Sequence, residues 1–191
     1  MQRTTPQAAP HVRRDPNDRG QLGVQLLTDG EALRQTVINA KRAGKSVGLI
    51  PTMGALHEGH LSLLETARTE CDLTVVSVYV NPTQFAPQED FRSYPRDLDH
   101  DLELLGRGGC DIVFIPTDET MYATNHTTFV DVGPLGQALE GEHRPTHFRG
   151  VATVVLKLFQ LAPADRAYFG RKDYQQTVVV RQMVTDLNVP V

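Results

Sequence analysis

Three short runs dominate the first two thirds of the chain: "SVGLIP", "DLTVVSVYV" and "CDIVFIP". Each is rich in β-branched residues, and helix-length amphipathic segments separate them. A strand that is apolar along its whole length has both faces buried, as in a parallel sheet covered on each side by helices. The alternation therefore predicts an α/β fold with a doubly wound parallel sheet.

The remaining elements fit this scheme. "DGEALRQTVINAKRAGK" reads as a helix with Thr28 or Asp29 near its N-cap and Gly44 at its end. Residues 57–70 form a second helix with Leu61, Leu64 and Ala67 along one face, and "RDLDHDLELLGRGG" a third, closed by glycines. "NPTQFAPQEDFRSYP" reads as a loop and "TTFVDV" as a short strand. "HFRGVATVVLKLFQL" reads as a helix despite its valines, "RAYFG" as a strand and "DYQQTVVVRQMVTDL" as a helix. "NVPV" reads as the start of another strand. Residues 1–25, rich in Pro, Arg, Asp and Gln, read as a disordered lead-in, with one domain over 26–191.

Composition narrows the function classes. The net charge is −4, from 19 Lys+Arg against 23 Asp+Glu, which argues against non-specific nucleic-acid binding. Cys71 and Cys110 lie far apart and form no C-x-x-C pair, so they read as buried thiols in a reducing compartment. The N-terminus has no apolar signal-peptide core, and no window approaches the ~18 apolar residues of a membrane span. These features predict a cytoplasmic protein, with no membrane partner.

In open parallel sheets, ligands bind beyond the carboxyl ends of the strands. Three polar clusters stand there. After "SVGLIP" comes T-M-G-A-L-H-E-G-H, where Gly54 and Ala55 permit close approach to the backbone. The following helix start offers N–H groups and a positive dipole end. His57 and His60, three apart, share its first turn. They could meet a phosphate, cap the helix or hold a metal. The metal reading is the weakest, because H-E-x-x-H needs a spacing of four and no third ligand is evident. After "DLTVVSVYV" stand Asn81 and Gln84, amides that donate and accept, although Asn-Pro also starts turns for local reasons. After "RAYF" come Gly170, Lys172, Asp173 and Gln176. Lys172 is a mobile point charge suited to phosphate. Asp173 and Gln176 also match a loose capping box. The three clusters together read as a nucleotide site beside a small polar-substrate site.

These clusters carry a family likeness. "PTMGALHEGH" resembles the H-x-G-H signature of the nucleotidyltransferases. With "VNPTQF", "RPTHFRGV" and "FGRKDYQQ" in this order, the stretch from Val24 to Val191 resembles the pantothenate synthetase (pantoate–β-alanine ligase) family. The resemblance implies a Rossmann-like domain and a two-step reaction. ATP adenylates pantoate with loss of pyrophosphate, and β-alanine then displaces AMP, with Mg²⁺ assisting. It assigns Met53, Gly54, Ala55, Leu56, His57, Glu58, Gly59 and His60 to the ATP site, with His60 as proton donor. Gly170, Arg171, Lys172 and Asp173 also hold ATP. Gln84, Gln176 and Asn81 hold pantoate or β-alanine, and His60, His57 and Lys172 form the catalytic set. It further implies a homodimer.

Two departures stand out. The family usually has Glu where this chain has Arg171, which adds positive charge beside Lys172. The family's S-S-R-N loop and smaller C-terminal domain do not follow "DLNVPV". The expectation is an N-terminal domain that binds ATP or pantoate weakly and turns over poorly. Two other readings stay open, another H-x-G-H nucleotidyltransferase and a non-catalytic nucleotide-binding module.

Overall fold

A computed structural model describes residues 23–85 and 91–191. Of the lead-in expected over residues 1–25, residues 1–22 lie outside the described residues, and Gln25 already belongs to β1. Five parallel strands form one sheet in the order β1-β4-β3-β2-β5. They are β1 (Gln25–Leu27), β2 (Val47–Thr52), β3 (Leu73–Val78), β4 (Ile112–Phe114) and β5 (Arg166–Ala167). The long helices are α1 (Gly30–Arg42), α2 (Glu58–Glu70), α3 (Leu98–Gly108), α6 (His147–Leu161) and α7 (Tyr174–Asp186). Two single-turn helices, α4 (Asp118–Met121) and α5 (Glu140–His143), punctuate the long connection between β4 and α6.

Alternation along the strands divides the core into two layers. Leu49, Val75, Ile112 and Phe114 face one side and pack with Leu33 and Val37 of α1, Val151 and Val155 of α6, and Val179 and Met183 of α7. Ile50, Val76 and Val113 face the other side and pack with Leu64 and Ala67 of α2 and Leu105 of α3. The expected doubly wound α/β architecture is therefore present. Among the described residues, no helix is long and apolar enough to cross a membrane.

Helix boundaries follow capping chemistry. Asp29 caps α1 by accepting from the Ala32 N–H, as its position before the apolar stripe predicts. Asp97 caps α3 in the same way through the His100 N–H. The Asp173 side chain makes no cap bond at α7, so the capping-box reading of "DYQQ" does not hold.

Four expectations about strands change. Gln25–Leu27 pairs with β4 as an edge strand, although no strand was expected there. "RAYFG" contributes only Arg166 and Ala167 to the sheet. "TTFVDV" has strand-forming residues but no neighbouring strand. Its Val130 N–H goes instead to the Thr153 hydroxyl of α6, at 2.9 Å. "NVPV" forms no strand, and its valines pack against the first core layer.

The packing of α6 matters most for the crevice. A Cβ at Gly150 would lie 2.5 Å from the Thr83 carbonyl oxygen and 2.6 Å from the Gln84 nitrogen. Only a residue without a side chain lets α6 approach the loop after β3 this closely. Gly150→Ala is expected to cost about 1–3 kcal/mol through overpacking. The melting temperature should fall by several degrees, about 2–4 °C per kcal/mol for a chain of this size, as read by thermal denaturation.

Candidate functional site

The crevice lies where the chain reverses its direction across the sheet. From β2 the chain winds through α2 to β3, and through α3 to β4. β5 then pairs on the opposite side of β2. The connections leaving β2 and β5 run to helices on opposite faces, α2 on one and α7 on the other. This is the topological switch point at which such sheets hold ligands. It brings H-E-G-H and G-R-K-D together.

The loop after β2 is tightly held. Gly54 has φ +80° and Ala55 φ +51°, and the left-handed conformation costs roughly 1–2 kcal/mol for a residue with a Cβ. Asp101, buried on α3 at 2% exposure, accepts from the Ala55 N–H at 3.0 Å and the Leu56 N–H at 2.7 Å. The Gly54 N–H reaches the Thr52 hydroxyl at 3.3 Å. These three backbone donors therefore meet acceptors within the protein.

The head of α2 is built from its histidines. His57 is the N-cap, and its Nδ1 accepts from the Gly59 N–H at 3.1 Å. His60 Nδ1 accepts a longer bond, 3.4 Å, from the His57 N–H. The result is a reciprocal capping box with imidazoles in the places usually taken by a hydroxyl and a carboxylate. Gly59 leaves room for the ring, since a Cβ would sit 2.8 Å from His57 Cε1 and displace it from this position. A ring nitrogen that accepts from an amide carries no proton, so in the neutral ring the proton is on Nε2. Both imidazoles then present an Nε2–H. Their centroids lie 4.3 Å apart. The helix start was expected to offer free amides; instead, the rings take up these amides and carry the donor function outward.

Burial lowers the pKa of His60, followed in size by the neighbouring His57. Asp101 and Asp173 oppose the shift. The effect of Asp173, in the β5–α7 loop, shows that this loop lies within electrostatic reach of α2. Lys172, Asp173 and Arg171 are exposed, Gly170 is half-buried, and Gln176 is half-buried in the first turn of α7. Glu58 is exposed in the first turn of α2, beside the positive end of the helix dipole.

Gln84 closes the other wall. It is buried, with its Nε2 donating to Met53 Sδ at 2.9 Å and its Oε1 accepting from Asn81 at 3.1 Å. Asn81, 1% exposed, also donates to the Gly150 carbonyl and accepts from the Tyr122 hydroxyl at 2.9 Å and the Thr83 hydroxyl at 2.9 Å. The amide of Asn81 is thus engaged within the protein, and it fixes Gln84. His147, buried at the head of α6, sets its Nδ1 3.0 Å from the Gln84 carbonyl, which makes Nδ1 the protonated nitrogen. A cavity of about 450 Å³ opens beside Met53 and Gly54, with Tyr79, Arg96, Asp101 and Asp118 in its wall.

Asp101, Tyr122, His147 and Gly150 were not singled out from sequence. For Asp101 a signal exists, a lone carboxylate on the apolar stripe of α3 with Leu105. The other three act through contacts 41–69 residues away in sequence; His147 and Gly150 stand in the "RPTHFRGV" run, but no local pattern reveals these partners.

Parallel strands covered by helices on both faces, with a topological switch point at β2, define a Rossmann-like α/β domain. The profile of the family described as Pantoate-beta-alanine ligase matches residues 25–191. The chain belongs to that family.

Among its relatives, the pantothenate synthetase of Moorella thermoacetica is 53% identical over 168 residues, which are 88% of this chain and 59% of the relative. That of Aquifex aeolicus is 52% identical over 159 residues, 83% of this chain and 56% of the relative. The crystal structure of pantothenate synthetase from Thermus thermophilus superposes with a TM-score of 0.83 at 50% identity, covering 88% of this chain and 59% of that one. Pantoate-beta-alanine ligase from Francisella tularensis, solved with beta-gamma ATP and beta-alanine, gives 0.82 at 35% identity, covering 88% and 64%. The chain thus spans about 59% of the length of the curated relatives it matches.

The lowered His60 pKa has a stability consequence. The unfolded chain takes up the proton first as pH falls below about 6.5. Stability contributed by neutral His60 is therefore complete above that pH and declines through the window down to the folded pKa. His60→Gln should flatten the dependence of melting temperature on pH between about pH 7.5 and 5.5. Parallel thermal melts of the two proteins across that range measure the difference.

Proposed function

We propose that this chain supplies the ATP- and pantoate-binding half of a pantoate–β-alanine ligase. The reading is supported by the pair of Nε2–H donors at the head of α2, beside the topological switch point from whose other side the G-R-K-D loop leaves β5. Met53 through His60 and Gly170 through Asp173 form the two walls of the ATP site. Pantoate sits against Gln84 and Gln176. Asn81 serves it indirectly, by holding Gln84.

Pantoate's carboxylate is ionised at neutral pH, as carboxyl pKa values near about 4 dictate. Its oxygen attacks the α-phosphorus, the bond from that phosphorus to the bridging oxygen breaks, and pyrophosphate leaves. No base is needed. The task is to bring two anions together and to stabilise the charge on the leaving group. The imidazole N–H groups and Lys172 do this. His60 works as a neutral donor, since its depressed pKa keeps it unprotonated at neutral pH. Gln84 is suited to exchange partners. A thioether is a weak acceptor, so a carboxylate or hydroxyl oxygen of pantoate readily replaces Met53 Sδ on its N–H. In the second step the β-alanine nitrogen attacks the acyl carbon, AMP departs and the amine loses a proton.

Among the described residues no three His, Cys, Asp or Glu side chains converge as a resident metal site requires. Mg²⁺ in this reading enters with ATP, as part of the substrate. The β-alanine role is supported by the Francisella relative solved with that ligand. The cytoplasmic location, expected from composition, and the homodimer, implied by the family resemblance, belong to the same proposal.

Calorimetric titration with MgATP, followed by pantoate-dependent exchange of pyrophosphate into ATP, tests the reading. Lys172→Ala should weaken ATP binding by about tenfold, or ~1.4 kcal/mol. Gln84→Ala should raise the pantoate requirement while leaving ATP affinity unchanged. Exchange supported by a nucleoside monophosphate in place of pantoate would instead identify another nucleotidyltransferase.

A further inference from the structure

The H-x-G-H segment depends on a residue 41 positions beyond His60 in the sequence. Asp101 lies on the buried stripe of α3, where its neighbour one turn on is Leu105. A carboxylate in such a place is costly unless its oxygens are satisfied. Both are: Oδ2 accepts from Ala55 and Oδ1 from Leu56, two successive amides of the loop. Successive amides beside left-handed residues form a concave cradle for anions. Here the protein's own carboxylate fills that cradle. The fit is close, since a Cβ at Gly54 would stand 2.8 Å from Asp101 Oδ2.

We propose that Asp101 is the positioning residue of the crevice: its carboxylate locks Gly54–Leu56 in place and thereby sets where the Nε2–H groups of His57 and His60 point. Leu56 is joined directly to the N-cap His57, so the orientation of the loop decides where the capping box begins. Filling the backbone cradle also directs an incoming phosphate to the imidazoles. The charged groups facing His60 are His57 on its own helix, Asp101 from α3 and Asp173 from the β5–α7 loop. Loss of Asp101 removes one of the two carboxylates that favour the protonated ring.

The effect on nucleotide binding rests on the function proposed above, whereas the effect on the imidazoles does not. The experiment therefore reads both. Asp101→Asn keeps the shape but lets only one oxygen accept, and it turns an N–H₂ toward the other amide. Leu105→Ala is the control, a core truncation on the same helix that removes no hydrogen bond to the loop. Imidazole ¹⁵N and ¹H resonances are followed by NMR against pH, alongside melting temperature and MgATP affinity.

Asp101→Asn should lower the apparent pKa of His60, blur the Nε2–H tautomer signature of both rings and weaken MgATP binding about tenfold. Leu105→Ala should lower the melting temperature and leave the imidazole titrations as in the parent chain. Unchanged imidazole titration and tautomers in Asp101→Asn would overturn the proposal. So would equal changes in Leu105→Ala, because the effect would then be general loosening. If the parent chain shows no MgATP binding while Asp101→Asn still moves the imidazole signals, positioning stands and the nucleotide reading fails.

Discussion

Strand β2 is hydrogen-bonded in parallel to β3 along one edge and to β5 along the other, and the crevice follows from that double pairing. Helices also cover both faces of β2, so the strand is apolar on both, as Val47–Ile50 are. Its exits are then the only polar groups it can present. The chain leaves β2 toward one face of the sheet, and it leaves β5 toward the other. The start of α2 and the start of α7 are thereby set around a common space. The register of Gly48 with Arg166 and of Leu49 with Ala167 fixes how far apart the two exits lie. The long β4–α6 connection adds the third wall, through Tyr122 on Asn81 and His147 on Gln84.

Within that space the helix terminus works indirectly. A bare N-terminus presents amides and a partial positive charge to an anion. At α2 the amides of His57 and Gly59 bond to ring nitrogens. Each imidazole accepts on Nδ1 and donates on Nε2, so it passes the donor function one ring-width outward. The cradle at Ala55 and Leu56 is meanwhile filled by Asp101. This explains the residue types in H-E-G-H. The histidines relay the donors, and the glycine lets the first ring lie flat across the turn.

The fold class and the three polar clusters were legible because they depend on local pattern. β-Branched runs, helix periodicity and capping residues all act within a few positions of each other. What the sequence hid depends on tertiary neighbours. Gln25–Leu27 is too short to show a period and becomes a strand only because β4 lies beside it. Thr127–Val132 has the reverse history. Its propensity is for strand, but it pairs with no strand among the described residues, and its Val130 N–H bonds to a helix side chain instead. Asn81 reads locally as a turn-former, and it is one, capping the turn Pro82–Gln84. Its second duty, toward Gln84 and Gly150, appears only when α6 is in place.

The protonation state of the imidazoles fits this division of labour. Two imidazolium charges with ring centroids 4.3 Å apart would repel. A protonated Nδ1 would also lose the capping bond it accepts. The capping bond at His60 therefore favours the neutral ring, in keeping with the lowering of its pKa by burial. Full positive charge stands instead at the exposed rim, on Arg171 and Lys172. In the function proposed above, these exposed charges act over distance and draw an anion toward the crevice of a chain whose net charge is −4. The neutral donors act at contact, where direction matters more than charge.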